Sequence, residues 1–302
     1  ITYVLCTNSI NLTEEILHLC KEYNILISTS LDGPAFIHNH NRGKTDSYNR
    51  VIEGINKVRN YLGADKVSAL MTTSELSINH PKEIVDNYIL NGFNNIFLRP
   101  LNPYGLALNS TNWNIYFDKF FEFYKQALNY IIDINIKGKF FVEEFTAILL
   151  RKILTPFTTG FVDLQSPAGI INSVVVYNYD GYVYASDESR MLAEYHDYTF
   201  RLGHVTDNYE NSFYGDKAQQ IALIWGTEFI AGCADCAFQS YCGADPVRNH
   251  STQNDMYGFR PTSSFCKKHK AIITYLFSLI QSEHDRVMPI FKQWINRNEN
   301  DF

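Results

Sequence analysis

The sequence is poor in several features, and each shortage narrows what it can be. Over 302 residues it has six cysteines, four methionines, three tryptophans and nine prolines. No apolar run reaches the roughly 20 residues that a bilayer-spanning helix needs. The longest near the C-terminus, Ala271 to Ile280, has Lys and His before it and polar residues after it. Low-complexity tracts and internal repeats are absent, which excludes solenoids and disordered linkers. Positive charge is short as well: 26 Lys and Arg against 32 Asp and Glu leave a net charge of -6, the wrong sign for a general nucleic-acid footprint. The start, Ile1-Thr2-Tyr3-Val4-Leu5-Cys6, has neither the basic residues nor the cleavage site of a secretory signal. A globular, cytoplasmic protein with reduced cysteines is expected, with no nucleic acid and no membrane among its partners.

Against that scarcity, four of the six cysteines crowd together. Cys233-Ala-Asp-Cys236-Ala-Phe-Gln-Ser-Tyr-Cys242 is followed by Cys266 just before a helical tail. The thiolate is a metal ligand, and two cysteines two residues apart grip one ion or cluster edge from a single turn. Four such ligands suit zinc or an iron-sulfur cluster. The spacing, two residues then five then a distant fourth, matches neither paired zinc knuckles nor a bacterial ferredoxin, so both options stay open. Disulfides would require a secreted chain. The nine histidines make no His-Glu-x-x-His pattern, and Cys6 and Cys20 read as core residues without a role.

The first hundred residues alternate strand and helix patterns. Thr2 to Thr7, Ile25 to Leu31, Lys66 to Thr72 and Asn95 to Leu98 read as strands. Between them lie helices opening at Asn11 or Thr13, at Ser47, and at Pro81 in a first turn. Such alternation makes right-handed crossovers and a parallel sheet, open or closed into a barrel, with functional groups at the carboxyl ends of the strands. Those ends carry Thr7-Asn8, Ser30-Leu31-Asp32-Gly33-Pro34, Thr72-Thr73 and Arg99-Pro100-Leu101. Helical packing surface follows over Thr111 to Ile136 and Phe141 to Leu154. A hairpin is then expected, Ile171 to Asn178 returning over Tyr182 to Ala185, with a domain boundary near residue 160.

Taken in order, the Thr7-Asn8 strand end, Ser30-Leu-Asp-Gly-Pro34, Arg42 after a histidine-rich loop, the Asp180-Gly-Tyr-Val-Tyr184 hairpin and the cysteine series resemble a radical S-adenosylmethionine (radical SAM) enzyme with a SPASM-type auxiliary-cluster domain. More narrowly, Tyr241-Cys-Gly-Ala-Asp-Pro-Val-Arg-Asn249 and Arg260-Pro-Thr-Ser-Ser-Phe-Cys-Lys-Lys268 look like the maturase of the His-Xaa-Ser peptide-modification system. The resemblance implies an α/β fold. It comprises a partial parallel (β/α) radical-SAM barrel with strands three to six over 1–110, a helical connection over 111–160, and an α+β SPASM-like domain over 161–302. That last domain carries the four-cysteine metal site and the C-terminal helices. The resemblance further implies that Ser30 and Arg42 contact the ribose and carboxylate of S-adenosylmethionine, with Asn8 and Arg99 as supporting candidates. Asp187 falls where sulfatase-maturing relatives place an acidic proton acceptor. The plainer alternatives are a turn cap for Ser30, a solvated loop charge for Arg42, a surface residue for Asp187 and a turn former in Asp32.

Two departures from that pattern matter. Neither the C-x3-C-x2-C loop that binds the catalytic 4Fe-4S cluster nor the Gly-Gly-Glu segment near the methionine amino group is present. The chain reads as beginning at the third strand. Of two auxiliary clusters, the ligand positions of the first fall on Ser166, Ser186 and Pro246, whereas Cys233, Cys236, Cys242 and Cys266 match the second. One auxiliary 4Fe-4S cluster is therefore expected, with zinc in its place after aerobic purification. S-adenosylmethionine and a second 4Fe-4S cluster are expected only in a longer protein. The expected function is that of the C-terminal part of a peptide maturase, an oxidoreductase acting on a ribosomally made precursor peptide alongside companion maturation proteins, and inactive by itself. The competing readings are a peptide- or protein-binding module and a zinc-stapled structural domain.

Overall fold

The computed structural model describes residues 1–43, 45–104, 112–223, 226–260 and 263–296. It divides into two compact units, one built from 1–101, 118–147 and the segment from 284 onward, the other from 102–117 and 148–283.

In the first unit, strands β1 (Val4–Cys6), β2 (Leu26–Ser30) and β3 (Val67–Leu70) pair in parallel in the order β1-β2-β3. Parallel neighbours require crossovers. These are helix α1 (Glu14–Glu22) between β1 and β2, and α2 (Ala35–Arg42) with α3 (Ser47–Leu62) between β2 and β3. Sequence signals start these helices: the Thr13 hydroxyl accepts the N–H of Ile16 and so caps α1. Pro81 opens α4 (Pro81–Leu90), where its missing N–H costs nothing. Leu17, Ile27, Leu31, Ile37, Val58 and Met71 are completely buried and form the seam between sheet and helices. Gly54 lets α3 sit against the turn after β1, since a Cβ there would meet the Ser9 carbonyl oxygen at 2.2 Å.

The stretch expected to be helical from Phe141 differs. It opens with a two-residue strand, β5 (Val142–Glu143), which pairs in parallel with β4 (Asn95–Ile96) before α6 (Glu144–Leu154) begins. Two residues are too few to leave an alternating pattern in a sequence. The long helix before it, α5 (Trp113–Ile136), matches expectation except that Thr111 lies outside the described residues. It buries Phe120, Phe123, Tyr124, Ala127 and Ile131. Helix α12 (His284–Ile295) is tied to α5 through Arg286 and Asp133 at 2.8 Å.

Glu143 sits at the carboxyl end of β5 with no exposure. Its carboxylate accepts the N–H groups of Leu98, Phe145 and Thr146 and the Thr146 hydroxyl, tying β4 to the start of α6. Burial nevertheless pushes its pKa up to about 7. Below the ordinary value of 4.5 both folded and unfolded chains carry this proton. Between 4.5 and about 7 the folded chain keeps a proton that the unfolded chain has lost, so stability falls as pH rises through that window. The expected loss is roughly 3 kcal/mol from this group. Urea melts from pH 4 to 8 check it, and Glu143→Gln should flatten the window; an unchanged pH slope in that variant counts against the assignment.

The second unit contains an antiparallel sheet, β6 (Val176–Tyr177), β7 (Tyr182–Tyr184) and β8 (Arg201–His204), in that order. The expected hairpin is present, with Gly181 at φ +83° in its turn. Its first arm is shorter than expected because Ile171 adopts φ +61° and Ile170 bridges Val174 instead. Strand β8 gave no sequence signal, as Arg201-Leu-Gly-His204 carries one buried apolar residue, Leu202. Behind the sheet pack Ala168, Val183, Ala185, Phe200, Ile221 and Val247. Helices α7 (Asp187–Ala193), α8 (Tyr209–Tyr214), α9 (Asp216–Leu223), α10 (Pro246–Gln253) and α11 (Ser264–Ser282) complete the unit.

Candidate metal centre and strand-end site

The cysteine loop follows a short helical turn at Thr227–Phe229. Its backbone climbs in three-residue steps: the N–H of Cys236 bonds to the carbonyl of Cys233 at 3.0 Å, Gln239 to Cys236 at 2.9 Å, and Cys242 to Gln239 at 3.2 Å. Such turns bring every third side chain to one face. The spacing that matched no familiar motif is thus a regular ladder with Gln239 on the rung between Cys236 and Cys242. Cys266 arrives from the first turn of α11, where the Ser263 hydroxyl accepts its N–H at 3.1 Å. A helix N-terminus favours a thiolate.

All four cysteines line one cavity, together with Thr227, Phe238, Gln239, His269, Lys270 and Ile273. The cavity is small, about 20 Å³, and opens to solvent. Among the described residues, no three His, Cys, Asp or Glu side chains are grouped as a single-ion site. All six cysteines are free thiols. Burial pushes the Cys242 thiol up to about 11 and raises Cys233 and Cys266, while the charges of Arg260 and, for the last two, Lys270 oppose the rise. Metal binding would displace those protons. The loop is pinned from behind: Lys152 donates to the carbonyls of Leu164 and Cys242. Gly243 leaves no room for a side chain, because a Cβ there would meet the Asp163 carbonyl oxygen at 2.3 Å. Four sulfur donors on one cavity wall, with basic groups around them, fit a thiolate-held metal group.

The three positions expected to have lost a second cluster have other tasks. The Ser166 hydroxyl donates to Glu228 at 2.7 Å and accepts the N–H of Thr227 at 2.9 Å. Ser186 is the buried N-cap of α7, in a reciprocal capping box with Ser189. Pro246 takes the first turn of α10, capped by Asp245. Asp187 is the first residue of α7, half-exposed and paired with Arg190 at 3.3 Å.

At the strand ends of the first unit, Ser30 closes β2 partly exposed, and its hydroxyl has no hydrogen-bond partner among the described residues. Asn8 is exposed after β1 and its side-chain oxygen accepts the N–H of Ile10. The Arg99 carbonyl accepts the N–H of Thr73 at 2.9 Å, beside the bridge between Thr73 and Pro100. The histidine-rich segment expected as a loop is the helix α2, and Arg42 is its last residue. Arg42 is also not a solvated loop charge. Its Nε and Nη2 donate to Asp32 at 2.7 and 2.8 Å.

Asp32 is correspondingly more than a turn former. It is completely buried and also accepts the N–H of Thr72, so it joins the ends of β2 and β3 to α2. His38 takes the Asp32 N–H on Nδ1 and faces the Ser47 hydroxyl with Nε2. Burial lowers its pKa, with Asp32 opposing and Arg42 adding to the fall. The Tyr88 hydroxyl donates to the Leu31 carbonyl. The one signal for this cluster in the sequence was an acid and a base flanking a histidine. Cys6, expected in the core, is exposed, whereas Cys20 is buried.

No protein-family model matches the chain. An uncharacterized protein of Methanothermobacter thermautotrophicus (strain Delta H) is 31% identical over 132 residues, which are 43% of this chain and 47% of that protein. The chain thus spans about half the length of the curated relative it matches. Among solved structures, native anSMEcpe with bound AdoMet (S-adenosylmethionine) is similar at a TM-score of 0.72 and 18% identity, covering 95% of this chain and 76% of that one. The same protein with AdoMet and the Kp18Cys peptide gives 0.71 at 17% identity over 95% and 76%. With the Cp18Cys peptide the values are 0.71 and 17% over 95% and 77%. That neighbour is an anaerobic sulfatase-maturating radical SAM enzyme containing a SPASM domain, and this chain shares its fold: a parallel-sheet α/β part and a second part carrying the cysteine loop.

Proposed function

We propose that the chain is part of a radical SAM maturase that modifies a ribosomally made peptide in the reducing cytoplasm. Cys233, Cys236, Cys242 and Cys266 hold a single auxiliary 4Fe-4S cluster in this reading. The observation that carries it is the convergence of four thiols on one cavity, in a fold like that of an enzyme solved with AdoMet and peptides. Four thiolates suit zinc and a 4Fe-4S cluster alike, and the likeness of fold to a radical SAM enzyme favours iron-sulfur. When bound, such a cluster would supply electron transfer or a peptide-facing surface. The chain's own part is to hold the ligands in a fixed ladder and shield them on the side of Lys152.

Ser30 and Arg42 are proposed for the ribose and carboxylate of S-adenosylmethionine, with Asn8 and Arg99 beside them at the strand ends. The free hydroxyl of Ser30 supports its role. Arg42, with two donors spent on Asp32, has Nη1 left for a carboxylate. Asp187 is better accounted for as a helix-end acid bound to Arg190 than as a proton acceptor. The segments Tyr241 to Asn249 and Arg260 to Lys268 make the His-Xaa-Ser maturases the nearest subgroup proposed, with their precursor peptide and companion proteins as partners; Pro261 and Thr262 of the second segment lie outside the described residues.

Anaerobic reconstitution with iron and sulfide tests the reading. About four irons per chain are expected, and the 302-residue polypeptide should release no 5'-deoxyadenosine from S-adenosylmethionine, because it lacks the three-cysteine loop. About eight irons, or any 5'-deoxyadenosine from this polypeptide alone, overturns it. A second reading, a zinc-stapled peptide-binding module, is favoured by the missing loop itself. A C-x3-C-x2-C encoded upstream of Ile1 decides for the enzyme.

A further inference from the structure

Arg260 is only 3% exposed, yet it has no carboxylate within ion-pair distance among the described residues. Its Nη1 donates to the Gly243 carbonyl at 2.8 Å, and its Nε is buried without any partner. An isolated buried guanidinium costs several kcal/mol, so folded chains keep one only where a negative group compensates. Asp245 feels its charge from beyond ion-pair reach and already accepts the Arg248 N–H. Its bond to the Gly243 carbonyl sets the guanidinium beside Cys242, it is also a side-chain hydrogen-bond partner of Cys233, and its charge opposes the burial-driven rise of Cys233, Cys242 and Cys266. As neutral thiols these cannot balance it. Four thiolates around a zinc ion carry a net charge of about minus two, and those around a 4Fe-4S cluster as much or more.

Building on the four-cysteine reading, we infer that Arg260 is the built-in counter-cation of the metal-thiolate centre, a positioning residue whose buried charge is balanced only when the centre is filled. Its bond to Gly243, the residue after Cys242, fixes where the charge sits. The unused Nε is the donor left for a ligand sulfur, the kind of outer-shell contact that tunes metal affinity.

The inference predicts opposite effects in two states of one protein. Under anaerobic reducing conditions, zinc affinity of the full chain is measured by chelator competition, and thermal unfolding is followed with and without zinc. Arg260→Met should weaken zinc binding roughly 10- to 100-fold, while the unfolding midpoint of the metal-free chain stays level or rises, because an unbalanced buried charge is gone. Arg260→Lys, which keeps the charge, should retain affinity within about threefold of the parent. If Arg260 only buttressed the loop through Gly243, Arg260→Met would lower the metal-free midpoint as much as the zinc-loaded one, and that result overturns the inference. So does unchanged zinc affinity in Arg260→Met. A parent chain that takes no metal overturns the four-cysteine reading together with this one.

Discussion

If the proposed four-cysteine centre is right, Cys242→Ser should empty it, taking bound metal from near one centre per chain to below about a tenth of that. A four-ligand structural site contributes roughly 10 to 16 kcal/mol of apparent binding energy near neutral pH, and each thiolate supplies a large share that a serine hydroxyl does not replace. Cys242 is the most informative of the four because its position is the most tightly held: Lys152 grips its carbonyl and Gly243 wedges the next residue against Asp163. The variant should therefore keep its local backbone while losing the ligand. A metal that occupies the site at a thousandfold excess over its dissociation constant adds about 4 kcal/mol of stability, so the loaded parent should also melt well above the variant. Elemental analysis and thermal melts check both effects, with Cys6→Ser as the control, since Cys6 lies far from the cavity in sequence and is exposed. Full metal content in Cys242→Ser would dismiss this thiol as a ligand.

Arg42→Met should cost about 3 to 5 kcal/mol of folding stability, more than the reciprocal Asp32→Asn, for which about 1 to 2 kcal/mol is expected. The asymmetry follows from burial. Asp32 has no exposure at all, while the Arg42 side chain is 35% exposed. Without Arg42 the carboxylate keeps only the Thr72 N–H on Oδ1, and the hydrogen bond to Oδ2 is lost, with His38 Nδ1 4.0 Å away. Without the Asp32 charge, the guanidinium can still turn to water. Urea denaturation of the two variants ranks them, and an equal or reversed ranking would mean that the ion pair is not what holds these strand ends. The result bears on ligand binding, because the proposed carboxylate contact uses what remains of the Arg42 fork.

The parallel α/β part was readable because its signals are local. Thr13, Pro81 and the apolar runs of β1 to β3 mark elements whose ends match expectation within a residue or two. Strands β5 and β8 were not, since one has two residues and the other a single buried apolar side chain. The four cysteines that line one cavity could be grouped from spacing, but the ladder that sets the spacing could not, because it rests on backbone bonds that any residues can make. Asp32 and Arg260 escaped for a common reason. Each draws its role from a partner that folding brings near, ten residues away for Asp32 and across the loop for Arg260.

The serines and proline at 166, 186 and 246 also set the direction in which this chain can evolve. A cysteine at 186 forfeits a capping box worth roughly 1 kcal/mol, and one at 166 breaks the bond that orders Glu228. One at 246 gives up a preformed helix start. Each step is a small loss by itself, and no cluster can assemble to reward it until all three are in place. On the proposed alignment, which makes these the ligand positions of a second centre, building such a centre here would cross a valley of less stable intermediates.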